Sequence, residues 1–134
     1  MRVVLANGCF DVLHYGHILH LQQARELGDK LIVALTEDHH VTKGPDRPIN
    51  SWGKRAAVLK ALRCVDEVWP SRSCADAVRK LRPHVLVKGI DYLDSPLLDA
   101  ARAACVEVGA QLHITNTPKF STTEIIRRLH APSL

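Results

Sequence analysis

A chain of 134 residues is long enough for one domain with a single hydrophobic core. Apolar residues make up 46% of it and charged residues 24%, the balance of an ordinary globular protein and not of a disordered segment. The formal net charge of +4 suits phosphorylated small-molecule partners, and no run of Lys and Arg predicts a nucleic-acid-binding tail. We therefore expect a single domain over residues 1–134 that binds neither nucleic acid nor a membrane.

The cysteine pattern and the lengths of the apolar runs bear on the compartment. Cys9, Cys64, Cys74 and Cys105 are scattered, and none forms the Cys-x-x-Cys spacing of zinc or redox sites. We expect neither a disulfide framework nor a zinc site, which is typical of a reducing compartment. Strand-like residues begin at Val3 and no apolar run could cross a bilayer, so we expect a cytoplasmic protein without a signal peptide.

Short apolar runs and helical periodicities alternate along the chain. The apolar runs predict strands at residues 3–6, 31–35, 65–69, 85–87 and 112–114. The predicted helices begin near His17, Ser51, Ser73, Pro96 and Ser121. This alternation indicates a Rossmann-like α/β fold, a doubly wound parallel sheet of five strands with helices on both faces.

Ligands of such sheets bind beyond the carboxyl ends of the strands, where the strand order reverses. The loops predicted at these ends cover residues 7–17, 36–50, 70–73, 88–95 and 115–121, and they carry most of the unusual chemistry of the sequence. We expect Pro70 to close the third strand. We expect Lys88 and Gly89 to leave the fourth strand as a loop, and a nucleotide to lie across the first and fourth strands.

The first loop, residues 7–17, lies between a predicted strand and a predicted helix. His14 and His17 are three residues apart at the helix start, so their side chains can point the same way. Unpaired N–H groups and the positive end of the helix dipole make such a turn a natural phosphate site. Gly16 lacks a Cβ, which lets an anion approach the backbone closely.

The residues of this loop resemble a known signature. Gly-Cys-Phe-Asp at residues 8–11, followed by His-Tyr-Gly-His at residues 14–17, is similar to the motif of the cytidylyltransferase-like nucleotidyltransferases. The hallmark of that family is His-x-Gly-His at the start of the first helix. The resemblance extends to Ser-Thr-Thr at residues 121–123, so it covers nearly the whole chain.

The resemblance implies an enzyme that joins a phosphate oxygen of an acceptor to the α-phosphorus of an NTP and expels pyrophosphate. Because that nucleophile is already an anion, catalysis depends on positioning and on stabilising the crowded charge. His14 and His17 would then donate hydrogen bonds to the α-phosphate and to the leaving β-phosphate. Lys43 would meet the triphosphate and Arg55 the acceptor phosphate, which completes the implied catalytic set.

The resemblance also implies a nucleotide-binding set. Its members are Gly8, Cys9, Phe10, Gly16, Lys88, Gly89, Asp91, Tyr92, Ser121, Thr122 and Thr123. We expect Phe10 to pack beneath the nucleotide and Asp11 to shape the turn. No residue is assigned as a direct metal ligand, since Mg²⁺ would arrive with the NTP.

The remaining histidines show no metal-ligand spacing, and we expect them to be structural or exposed; they are His20, His39, His40, His84, His113 and His130.

Two members of the family lead to different substrate predictions. Residues 43–50 and 87–92 resemble the heptose-phosphate adenylyltransferase domain that makes ADP-heptose. The short length and residues 63–68 resemble glycerol-3-phosphate cytidylyltransferase, but the arginine of that enzyme is missing from residues 116–120. We favour ATP and a sugar 1-phosphate, with CTP and glycerol 3-phosphate as the alternative.

Other members leave further possibilities open. A flavin or pantetheine-phosphate adenylyltransferase shares the entrance motif. A nucleotide-binding regulatory module without turnover is the alternative outside catalysis. Relatives form homodimers, so the resemblance also implies a two-fold dimer with Trp69 and Pro70 near its interface.

Overall fold

The computed structural model describes residues 1–116 and 122–130. The strands are β1 (Val3–Gly8), β2 (Lys30–Thr36), β3 (Glu67–Ser71), β4 (Val85–Gly89) and β5 (Gln111–Thr115). The helices are α1 (Tyr15–Glu26), α2 (Trp52–Lys60), α3 (Cys74–Leu81), α4 (Pro96–Val108) and α5 (Thr122–Leu129). Two short 3₁₀ turns, Asp38–His40 and Ile90–Tyr92, follow β2 and β4.

The strands form one parallel sheet in the order β3-β2-β1-β4-β5. The chain builds outward from β1 to β3, crosses back, and adds β4 on the other side of β1. This confirms the predicted Rossmann-like fold. The order reverses between β1 and β4, which is where a doubly wound sheet binds its ligand.

Side chains of the central strands alternate between two cores. Val4 and Ala6 of β1 face a cluster that includes Leu21 of α1 and Leu59 of α2. Leu5, between them, faces the opposite cluster, which is supplied by α3 and α4. The period of two therefore buries β1 on both faces, as its continuous apolar run predicts.

The ends of two strands differ from the sequence prediction. Val65 is buried but precedes β3, which begins at Glu67 and includes Pro70. An edge strand tolerates proline, because half of its N–H groups have no ladder partner to lose. Lys88 and Gly89 belong to β4, where they pair with the end of β5, and do not leave the strand as a loop.

Several helix ends follow the sequence signals. Ser73 caps α3 by accepting the Asp76 N–H, and Ser95 caps α4, which begins with Pro96. Gly109 ends α4 in the left-handed conformation that favours glycine. None of the helices that the structure describes is long and apolar enough to cross a membrane.

Candidate active site at the carboxyl edge of the sheet

His14 and His17 form the entrance to α1. His14 is the N-cap residue, and its Nδ1 accepts the backbone N–H of His17 at 3.4 Å. His17 Nδ1 accepts the backbone N–H of His14 at the same distance. The two rings are stacked, with centroids 3.8 Å apart and planes 18° from parallel. The structure therefore brings the two predicted catalytic histidines together as one unit.

This reciprocal cap fixes the tautomer of both rings. Because Nδ1 of each ring accepts a backbone N–H, the proton of the neutral imidazole lies on Nε2. Burial lowers the pKa of His14, and it lowers the pKa of His17 to about 3, with added repulsion from His14, His20 and Lys43. Both imidazoles are therefore neutral hydrogen-bond donors before an anion binds.

Phe10 packs beneath this pair. Its ring is buried and lies edge-on to the His17 ring, with centroids 5.1 Å apart. A Cβ on Gly8 would approach Phe10 Cε2 to 2.9 Å, so the bare glycine makes room for the ring. Phe10 itself has φ of 45°, the left-handed region that side chains rarely adopt. The turn after β1 thus places the Phe10 ring against the His17 ring.

Asp11 joins this turn to the loop of residues 36–50. Its carboxylate accepts Arg47 Nε at 2.7 Å and the backbone N–H groups of Ile49 and Asn50 at 2.8 and 2.9 Å. Burial alone would raise the pKa of Asp11, but the hydrogen bonds from Asn50, Ile49 and Arg47 bring the net pKa below its usual value. This supports the prediction that Asp11 shapes the turn.

Arg55 lies beneath the same two loops. Its side chain is fully buried and donates to Asn50 O at 2.9 Å, Cys9 O at 2.8 Å and Asp38 Oδ1 at 2.5 Å. The sequence predicts that Arg55 meets an acceptor phosphate, whereas in this structure its guanidinium is enclosed by protein acceptors. Direct contact with an acceptor stays a prediction; the geometry shows a residue that positions three loop segments.

Lys88 occupies the point where the strand order reverses. Its side chain is only 5% exposed, and Nζ lies 3.4 Å from Asn7 O and 4.0 Å from the centroid of the Tyr92 ring. Burial lowers the pKa of Lys88, and attraction to Cys74 and Asp91 offsets only part of that shift. Lys88 is thus a desolvated cation between β1 and β4.

The segment after Lys88 folds back over it. A Cβ on Gly89 would meet Asp91 Oδ1 at 2.6 Å, so the bare backbone of Gly89 makes room for that carboxylate. Burial raises the pKa of Tyr92, and the nearby Asp91 raises it further. The structure therefore places the predicted residues Lys88, Gly89, Asp91 and Tyr92 in one cluster.

Other predicted residues lie around the histidine pair. Gly16 is buried in the first turn of α1, and Lys43 is exposed on its loop. Burial raises the pKa of Cys9, so its thiol is neutral and is not an activated nucleophile.

The last three predicted nucleotide-binding residues are residues 121–123. Ser121 lies outside the described residues, as do the side chains of Thr122 and Thr123.

His20 and Thr115 are site residues that the sequence did not indicate. His20 Nδ1 lies 2.6 Å from Thr115 Oγ1, which in turn lies 3.4 Å from Lys88 O. Burial lowers the pKa of His20 to about 4, and repulsion from Lys88 adds to the shift. The spacing of three residues from His17 was the available signal. What the spacing could not supply was the partner, which is 95 residues away.

Glu37, His39 and His40 form a second group missed by the sequence prediction. Their ligand atoms lie within 4.8 Å of one another, next to the end of β2. Among the residues that the structure describes, no other group of at least three His, Cys, Asp or Glu side chains has such spacing.

Together these features define an α/β protein whose chemically distinctive side chains gather at the carboxyl edge of the sheet, around its topological switch point. Paired Nε2–H donors at a helix N-terminus and a buried ammonium are the kinds of groups that bind anions in proteins. The chain belongs to the cytidylyltransferase-like family, whose model matches residues 5–128. It is a nucleotidyltransferase of that family.

Curated relatives agree with this assignment. The chain is 42% identical over 130 residues to the bifunctional protein HldE of Chromohalobacter salexigens, a match that covers 93% of this chain and 27% of the relative. It is 52% identical over 95 residues to the bifunctional protein HldE of Pseudomonas syringae, which covers 68% of this chain and 20% of the relative. The chain therefore spans less than a third of the length of these relatives.

A solved structure extends the comparison. The lipopolysaccharide core biosynthesis protein from Thermoplasma volcanium superposes with a TM-score of 0.72 at 26% identity. The match covers 90% of this chain and 99% of that protein. The pantoate-beta-alanine ligase of Francisella tularensis, at 16% identity and a TM-score of 0.64, shares the fold.

Proposed function

We propose that this nucleotidyltransferase transfers an adenylyl group from ATP to a sugar 1-phosphate, such as a heptose 1-phosphate, and releases pyrophosphate. The observation that carries the proposal is the stacked pair His14 and His17, whose Nε2–H groups are fixed as donors at the entrance to α1. Such preorganised donors stabilise charge that develops during transfer.

The reaction needs no protein nucleophile. A phosphate oxygen of the acceptor forms the new bond to the α-phosphorus, while the bond from that phosphorus to the pyrophosphate oxygen breaks. His14 and His17 donate hydrogen bonds to the α-phosphate and the leaving β-phosphate. Binding of this polyanion raises the pKa values of both rings, so each can strengthen its donation as the negative charge moves to the leaving group.

Two lysines supply positive charge. Lys88 neutralises anionic oxygens from within the site, and exposed Lys43 reaches the triphosphate from its loop. Mg²⁺ enters bound to the NTP. Asp11 does not serve as its ligand in this proposal, because both carboxylate oxygens already accept hydrogen bonds from Arg47, Ile49 and Asn50.

Arg55 contributes by positioning. It holds Cys9, Asp38 and Asn50 in place, and so sets the shape of the loops around the acceptor. Direct contact with the acceptor phosphate would require its release from these partners.

The choice of substrates rests on resemblance. Residues 43–50 and 87–92 resemble the heptose-phosphate adenylyltransferase domain, and the Thermoplasma volcanium relative is described as a lipopolysaccharide core biosynthesis protein. Both support a carbohydrate acceptor. CTP with glycerol 3-phosphate is the alternative, supported by residues 63–68.

Pyrophosphate release tests these substrates. The protein is incubated with Mg²⁺, each of ATP and CTP, and separate acceptors: heptose 1-phosphate, other sugar 1-phosphates, glycerol 3-phosphate, and flavin and pantetheine phosphates. We expect release with ATP and a sugar 1-phosphate. Turnover only with CTP and glycerol 3-phosphate would replace the proposal. Nucleotide binding without turnover with any acceptor would favour a regulatory module.

His17→Ala tests the mechanism. Loss of one preorganised donor should lower kcat by about 10²–10³-fold while weakening ground-state NTP binding much less. His14→Ala should act similarly, and the double variant should lose less than the product of the two singles, because both donors act on one transition state. Exposed His130→Ala is the matched control, and circular dichroism checks folding. Near wild-type turnover in folded His17→Ala would contradict the mechanism.

We further propose that the protein forms a two-fold homodimer. Trp69 lies on edge strand β3 and is 47% exposed, an unusual exposure for a large aromatic side chain. Sedimentation should show a dimer at micromolar concentration, and a monomer well above that concentration would contradict it.

A further inference from the structure

Glu37, His39 and His40 lie together where the chain leaves β2. One ligand atom from each side chain lies within 4.8 Å of the others. The two imidazole rings have centroids 4.3 Å apart, and His40 Nε2 is 3.9 Å from Glu37 Oε2. A small adjustment of these partly exposed side chains would bring three donors to the distances of about 2.0–2.2 Å that a bound metal requires.

Hydrogen bonds to the rest of the protein hold the backbone that carries these side chains. The N–H of Glu37 donates to Ser71 O at 2.9 Å, and the N–H of His40 closes the 3₁₀ turn on Glu37 O at 2.9 Å. Between them, Asp38 is bound by the buried guanidinium of Arg55. Because the turn is anchored at several points, little conformational entropy is lost when a metal ion binds.

The donor set selects a class of metal. Two neutral imidazoles and one carboxylate suit borderline divalent transition metals, whereas Mg²⁺ and Ca²⁺ prefer oxygen ligands alone. With three protein ligands, a tetrahedral ion such as Zn²⁺ keeps one open position for water or an anionic oxygen. We propose that Glu37, His39 and His40 bind a divalent transition-metal ion, with Zn²⁺ as the preferred ion.

The location of this ion would let it affect the neighbouring active site. The ligands flank Asp38, which holds Arg55, and they precede Lys43 on the same loop. An ion here would fix the start of the loop and place positive charge at the mouth of the site. It differs from the Mg²⁺ carried by a nucleotide, because its ligands are two imidazole nitrogens and a carboxylate of the protein and because it binds without nucleotide. The proposal does not depend on which substrate the enzyme uses.

Metal titration without nucleotide tests the site. Zn²⁺ binding to the full chain is measured by competition with a chromophoric chelator, and Co²⁺ serves as a spectroscopic probe. We expect one ion with at least micromolar affinity, and absorption typical of nitrogen and oxygen ligands. His39→Ala and His40→Ala should each weaken binding by about tenfold or more, since even outer partners of metal ligands have effects of that size.

Matched variants decide between this site and others. His130→Ala removes an exposed histidine elsewhere and should leave the affinity unchanged. The ligand variants alter partly exposed side chains, so circular dichroism should show that they fold normally. Equal Zn²⁺ affinity in His39→Ala, His40→Ala and wild type would overturn the proposal. So would a sulfur-to-cobalt charge-transfer band, which would place the ion on a cysteine, or saturation only at millimolar Zn²⁺.

Discussion

A cationic side chain is buried on each side of the sheet's switch point, and the two differ in how many hydrogen-bond acceptors surround them. On the side of β2 and α2, Arg55 is fully buried and donates to three acceptors at 2.5–2.9 Å. On the side of β4 and β5, Lys88 is nearly as buried. The described residues offer its ammonium one acceptor at 3.4 Å and the face of Tyr92. Arg55 is satisfied by these acceptors, whereas the part of the chain that the structure describes gives Lys88 fewer and longer contacts.

The difference separates structure from binding. A buried charge with several short hydrogen bonds stabilises the arrangement of its partners. A buried charge with one long contact has lost water without full compensation, and it gains most when an anion arrives. We therefore propose that the Arg55 side is the scaffold of the site and that the Lys88 side binds the polyanion.

Arg55→Met should give the largest effect, a loss of about 3 kcal/mol in the free energy of unfolding. The substitution keeps the side-chain volume but leaves three acceptors without their donor. Water can reach the Asp38 carboxylate, whose side chain is 49% exposed, which holds the loss near the lower end of the range for broken buried pairs. Urea unfolding followed by circular dichroism measures it.

Lys54→Met is the control, because the neighbouring Lys54 is exposed on the same helix. It should change stability by less than about 0.5 kcal/mol. If Arg55→Met were no less stable than this control, the Arg55 side would not be a scaffold and the comparison would fail.

Much of the fold, and the position of the site entrance, could be predicted from the sequence. Alternating apolar runs and helical periodicities identify the parallel sheet, and the glycine turn before His14 and His17 locates the entrance. These signals work because they are local: a strand, a turn and a cap each lie within a few residues. The same locality explains why the prediction that Pro70 closes β3 was wrong, since the edge position that tolerates a proline depends on the whole sheet.

The partners of the buried groups could not be predicted. Arg55 meets Cys9, which is 46 residues away, and His20 meets Thr115 at a separation of 95 residues. Nothing in the spacing of these residues indicates such pairs, because they form only after the strands are ordered. A cationic side chain on α2 looks the same in sequence whether it faces a substrate or is enclosed by protein carbonyls.

Lys88→Met should weaken binding of Mg-ATP by about tenfold, which corresponds to about 1.4 kcal/mol. The same substitution should leave stability unchanged or raise it, because it removes a desolvated charge. Calorimetric titration measures the affinity and urea unfolding the stability. Lys54→Met is again the charge-matched control and should bind as wild type does.

The two variants distinguish the two sides of the site, because Arg55→Met should lose stability whereas Lys88→Met should lose affinity for Mg-ATP. A Lys88→Met protein that unfolds much more easily than wild type would show that Lys88 is also structural. Unchanged affinity in a stable variant would remove Lys88 from the nucleotide site.

The smallest expected effect is on the pH dependence of the free energy of unfolding, to which Lys88 and Arg55 should contribute differently. Burial lowers the pKa of Lys88 below its ordinary value of 10.5. Between the folded-state pKa and 10.5, the unfolded chain binds more protons than the folded chain, so stability rises with pH. The cost of the buried charge is fully present below that window and is relieved within it. One titrating group can contribute at most about 1.4 kcal/mol per pH unit.

Urea titrations of wild type, Lys88→Met and Arg55→Met from neutral pH to about pH 10 measure this effect. Each variant's free energy of unfolding is subtracted from that of wild type, so the contributions of titrating groups distant from both substitutions cancel. As pH rises, wild type should gain stability relative to Lys88→Met. The difference for Arg55→Met should change less, because a guanidinium remains protonated throughout and only its effect on the pKa of the Cys9 thiol depends on pH. Two flat differences would mean that water reaches the Lys88 ammonium in the folded protein, and Lys88 would then lose its distinction from an ordinary surface lysine.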